Sequence, residues 1–130
     1  RSLYGDSSEV FDGDVLDWDE ALDHVDGSEQ ILRRVADLFF DECPQLLAKI
    51  REAIANGDGE TAERNAHTLK GTVRIFCAEP AEKAALKLEV CVVQNDLDQT
   101  NAALVALESA IERLVEGLKG KVAPDLSAGR

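Results

Sequence analysis

Residues 59–76 read GETAERNAHTLKGTVRIF, and their apolar positions close into one stripe only on a helix. At about 100° per residue, Ala62, Ala66, Val73 and Phe76 fall within roughly 60° of Leu69. That stripe is the expected core face. His67 lies at about 160° from its centre, with Glu63 and Arg74 near it and Gly71 just beyond. Lys70 sits at about 100°, on the flank. Residues 63, 67, 70, 71 and 74 are therefore neighbours on a ridge that faces away from the core.

Two features of this ridge stand out. Gly71 occupies a helix interior, where it costs about 1 kcal/mol relative to Ala, and it does not face the core. Its position, one turn after His67, suits close approach by something outside the chain. Glu60 and Glu63 against Arg64, Lys70 and Arg74 leave the segment a local net charge of +1. An imidazole, a mobile lysine and a gap on a weakly basic strip suit an anion.

The same periodicity extends in both directions. Leu16 to Val25 suits a short amphipathic helix ending near Gly27, and Ser28 is the expected N-cap of a long one. Its apolar positions from Ile31 to Ile54 recur at three- and four-residue steps, with a kink expected at Pro44 and a stop at Asn56-Gly57. Pro80 suits the first turn of a fourth helix that ends near Asn95. Asp98 or Thr100 is the expected cap of a fifth, whose core stripe is Leu104, Leu107, Ile111, Leu114 and Leu118. Short connections make neighbours antiparallel. The expected fold is all-α, an antiparallel up-down-up-down four-helix bundle with an extra short N-terminal helix. Residues 1–15 read as an irregular acidic lead-in, 16–120 as the bundle domain and 121–130 as a flexible tail.

Composition agrees with one domain of this kind. The chain has 130 residues, 45% hydrophobic and only 5% aromatic, with few β-branched runs. Its net charge is −12, and residues 1–30 hold ten acids against Arg1 alone. Such a surface repels nucleic acid and anionic membrane, so neither is an expected partner. Cys43, Cys77 and Cys91 make an odd set without a CxxC pair, which favours reduced thiols, core packing and a cytoplasmic setting. No apolar run reaches about 18 residues, so no membrane span is expected. The chain lacks Met, which suggests a module of a longer protein. The acidic run Asp12-Gly13-Asp14 to Glu20 lacks EF-hand spacing and reads as solvated.

Ala66-His67-Thr68-Leu69-Lys70-Gly71 resembles the signature of histidine-containing phosphotransfer (HPt) domains of two-component phosphorelays. The similarity extends to Ala78, Ala85, Leu88 and Glu89, and upstream to Phe39, Pro44 and Leu47. The resemblance implies a four-helix bundle with an N-terminal cap helix. It also implies that His67 is the phospho-accepting residue, through its outer ring nitrogen. The phosphoryl group would come from a receiver-domain phospho-aspartate, or from a kinase, and pass to another receiver. Lys70 would offset charge on the phosphoryl oxygens, and Gly71 would leave room for the receiver. Receiver domains are thus the implied partners, with a histidine kinase in the same or another chain as a further candidate. The chain would be a carrier without cofactor or metal of its own, since Mg²⁺ belongs to the receiver. Two positions depart from the family pattern: Cys77 stands where Gly is usual, and Arg74 where a small residue is common. Arg74 either adds a phosphate or partner contact or obstructs one.

Other residues read more plainly. Glu63, one turn before His67, is placed to orient the inner ring nitrogen or to stand solvated, and His24 reads as surface. A metal-binding bundle needs several inward histidines and carboxylates, which two histidines, one facing outward, do not supply. The rival from another class is a helical adaptor that binds signalling partners through its acidic face and carries no phosphate.

Overall fold

The computed structural model describes residues 15–122, so most of the expected acidic lead-in and of the tail lies outside the described residues. Five helices lie wholly within them: α1 (Trp18–His24), α2 (Glu29–Ala55), α3 (Gly59–Ile75), α4 (Glu79–Val93) and α5 (Leu97–Val122). No strand occurs among the described residues. Side-chain caps explain where most helices begin. Asp17 accepts the Glu20 amide at 3.0 Å, and Ser28 accepts that of Ile31 at 3.2 Å. α2 runs on past Pro44 without ending there.

One turn design joins α2 to α3, α3 to α4 and α4 to α5. Each helix ends on a residue in the left-handed region: Gly57 (φ 74°), Cys77 (φ 53°) and Asn95 (φ 60°). The next amide reaches back to a free carbonyl of the last turn, Asp58 to Ala53, Ala78 to Val73 and Asp96 to Cys91. That same residue then opens the following helix. Asp58 accepts from Thr61 at 3.2 Å, and Asp96 accepts from Gln99 at 3.1 Å. The expected cap of α5 is thereby corrected. Asn95 turns the chain early enough for Asp96 to cap, leaving Asp98 in the first turn and Thr100 buried.

The α3–α4 turn is the exception on both counts. Cys77 carries a Cβ into left-handed geometry, and Ala78 makes no side-chain cap. Ala78 is wholly buried, so a polar cap there would itself be taken from water. The N-terminal segment covers this turn: the Asp17 amide donates to the Phe76 carbonyl at 3.2 Å. Leu16 buries beside it, against Gly117, where a Cβ would stand 2.9 Å from Leu16 Cδ2.

The core follows most of the sequence stripes, but Leu104 of α5 is half-buried with Ala103 buried beside it, and Ile31 and Leu38 of α2 are exposed. Ala62, Ala66, Leu69, Val73 and Phe76 of the α3 segment are all buried, as are Leu107, Ile111, Leu114 and Leu118 of α5. Phe76 meets Phe39 of α2 edge to face, ring centroids 5.6 Å apart. α3 packs on α2 and α4, α5 packs on α4 and α2, and Trp18, Leu22 and Val25 seat α1 against the core. Each large side chain buried this way contributes about 1.5–3 kcal/mol. Rotating α3 to bury His67 would expose several of them, so the core holds that imidazole outward.

Candidate functional site

His67 projects from the exposed face of α3, its side chain 68% accessible. Its Nδ1 lies 2.9 Å from Oε2 of Glu89 on α4. The other carboxylate oxygen, Oε1, lies 2.9 Å from Lys70 Nζ. Glu89 is only 12% accessible and Lys70 19%, so the three form a ledge with the imidazole as its open end. Partial burial pushes the Glu89 carboxyl up, but contacts with Lys70 and His67 outweigh it and hold the group below the usual glutamate value. Glu89 is thus an ionised acceptor, and Nδ1 must carry the hydrogen it receives. The neutral ring then has its lone pair on Nε2, on the side away from Glu89.

The ridge predicted from the helical wheel is present, with its charges differently engaged. Lys70 is not a free, mobile cation; the α4 carboxylate holds it across the helix interface. Arg74 pairs with Glu82 at 3.1 Å and Arg64 with Glu60 at 3.6 Å. With Glu89 and Glu82 of α4 beside it, the α3 strip is no longer net positive. Glu63 borders the hollow around His67, but Glu89 is the residue that meets the inner ring nitrogen. Gly71 is exposed, and a Cβ built there would meet nothing within 4 Å. Internal packing does not require the glycine.

An apolar rim adjoins the imidazole. Leu86, Val90 and Val93 of α4 are exposed and line one hollow with Glu63, His67, Lys70 and Glu89. No set of three metal-donor side chains gathers around His67 among the described residues. The thiols stand elsewhere. Cys43 and Cys91 are free and buried, burial pushing Cys43 up to about 11, whereas half-buried Cys77 sits in a turn rather than filling the core.

An exposed histidine, oriented by a carboxylate and followed by a lysine and a glycine, sits on a helix that the family model of the Hpt domain matches within residues 34–117. The chain belongs to the Hpt domain family. No curated protein and no solved structure gives a significant match to it. The matched stretch begins in α2 and ends in α5, so α1 and its contacts fall outside it. Membership supports a role in histidine phosphotransfer in two-component systems, and Hpt domains in general are phosphocarriers that interact with receivers and kinases. No helix among the described residues is long and apolar enough to cross a membrane.

Glu89 is the part of the site whose role sequence reasoning missed. Its one local signal is an acid placed directly after core Leu88 and four residues after core Ala85, on the edge of the buried face of α4. Its partner is fixed only by the register of α4 against α3.

Proposed function

We propose that this Hpt domain carries a phosphoryl group on Nε2 of His67, receiving it from a receiver-domain phospho-aspartate or a kinase and passing it to another receiver. The observation that carries the reading is the Glu89 hydrogen bond at Nδ1, which in the neutral ring puts the nucleophilic lone pair on the outward nitrogen. The Nε2 lone pair attacks phosphorus, the phosphorus–oxygen bond to aspartate breaks, and aspartate leaves as a carboxylate. No base is needed, because Nε2 has no proton to lose. The ring gains positive charge in the process, and the ionised Glu89 beside Nδ1–H stabilises it. Return transfer reverses these steps.

Lys70 offsets the Glu89 charge in the free domain and, three residues after His67 on the same helix, is the cation offered to incoming phosphoryl oxygens. Since the α3 cations are already paired, most of the charge needed for transfer must come with the partner, including its Mg²⁺. That division fits a cytoplasmic carrier that turns nothing over by itself. Gly71 admits the receiver's loops, the Leu86–Val90–Val93 rim gives it an apolar footing, and Arg74 with Glu63 edges the contact. A single bundle over residues 16–120, with helices in up-down-up-down order, is part of this proposal.

The test offers the chain a phosphorylated receiver and follows radiolabel. Wild type becomes labelled and His67→Gln does not; equal labelling of the variant overturns the proposal. Receiver binding without any labelling of the wild type favours the adaptor alternative.

A further inference from the structure

Outside the matched stretch of the family, α1 brings two donor side chains to the α3–α4 turn. Glu20 and His24 stand four residues apart on one face of α1, and Cys77 projects from the turn. One ligand atom of each, a carboxylate oxygen, an imidazole nitrogen and the Sγ, lies within 4.8 Å of the other two. The arrangement is anchored, since the Asp17 amide ties the start of α1 to the Phe76 carbonyl, one residue before Cys77. Glu20 and His24 are exposed and Cys77 half-buried, so the group is open to solvent. Glu20 and Cys77 also line an open hollow with Asp17, Glu79, Glu82 and Arg74, in which four carboxylates outnumber one guanidinium.

We propose that Glu20, His24 and Cys77 bind one zinc-class divalent cation and so clip α1 onto the α3–α4 turn. Tetrahedral zinc with ligands at about 2.0–2.3 Å sets its donors roughly 3.3–3.8 Å apart. Small side-chain rotations close a 4.8 Å triangle to that size. Thiolate with imidazole selects a borderline transition metal over Mg²⁺ or Ca²⁺, which take oxygen ligands. On binding, the Cys77 thiol gives its proton to solvent and the sulfur lone pair goes to the metal. Three protein ligands leave a fourth position for water. Cys77 occupies a left-handed position that Gly fills without strain, so retaining a side chain there has a cost that a ligand role explains. The site is separate from His67, which lies ten residues, about 15 Å, back along α3.

Co²⁺ titration of the full chain reads this directly, with Zn²⁺ then competing against a chromogenic chelator. The expected result is one equivalent per monomeric chain, with a thiolate-to-cobalt charge-transfer band. Cys77→Gly abolishes the band while circular dichroism shows the helices intact, because that change relieves backbone strain. His24→Ala and Glu20→Gln each weaken binding at least about tenfold. His67→Gln binds as wild type, and excess Mg²⁺ does not displace the metal. A band that persists in Cys77→Gly overturns the proposal, as do a failure to saturate at one equivalent, indifference to His24→Ala, and a metal-bridged dimer by light scattering.

Discussion

Glu89 of α4 holds two residues of α3 at once, His67 through Oε2 and Lys70 through Oε1, each at 2.9 Å. One carboxylate thereby fixes the ring tautomer, the ring's direction and the position of the nearest cation. The contact also spans the α3–α4 interface, so the register between two helices becomes part of the site chemistry.

Replacing Glu89 by Gln keeps the shape and removes the charge. A hydrogen bond to a charged group is worth about 1.5–3 kcal/mol, and the exposure of His67 argues for the lower end. Single-turnover transfer from a phosphorylated receiver to Glu89→Gln should slow about tenfold, with the fold retained. A rate equal to wild type would reduce Glu89 to a packing role.

The same carboxylate makes a contribution to stability that depends on pH. Its folded pKa lies below the usual 4.5, so the contribution is fully present above that value and is lost as pH falls through the folded pKa. Wild type should melt higher than Glu89→Gln at about pH 7, and the gap should narrow as acidification carries Glu89 through its lowered folded pKa. Asp58, whose carboxyl is also lowered by its bond to Thr61, is present in both proteins and cancels from the comparison.

Gly71→Ala should separate folding from docking. With open space around the new methyl, the helix gains about 1 kcal/mol and the melting temperature rises by about 4 °C or more. Phosphotransfer should nevertheless slow, because on the proposed docking the methyl would stand in the receiver's path. A variant both more stable and equally fast would leave Gly71 without a docking role.

Cys77→Gly should also stabilise the chain, by about 1 kcal/mol in chemical denaturation without metal, as left-handed strain outweighs the added freedom of glycine. Gly57→Ala, at the equivalent turn position, should lose a similar amount. If both substitutions shift stability in one direction, the shared turn geometry is not what governs them.

The helical wheel alone placed the α3 stripe and set His67 opposite it, because burial of Leu69, Val73 and Phe76 determines the rotation of the helix. Membership in the Hpt domain family was legible in the run from Ala66 to Gly71. The start of α5 was misread because Asp96, Asp98 and Thr100 are all cap-forming residues, and only the left-handed Asn95 decides among them. Glu89 beside His67, Glu82 beside Arg74, and Glu20 with His24 beside Cys77 are pairings between elements distant in sequence. Local periodicity reports which face a residue occupies and is silent about what stands across from it.

Tying Nδ1 to Glu89 also has a kinetic meaning for a relay. In the proposed relay, a ring steered by Glu89 offers one outward atom, so donor and acceptor would use the same berth and would not occupy it together. Exchange would then be ping-pong, and a surplus of either dephosphorylated partner would act as a competitive brake on flux through the other.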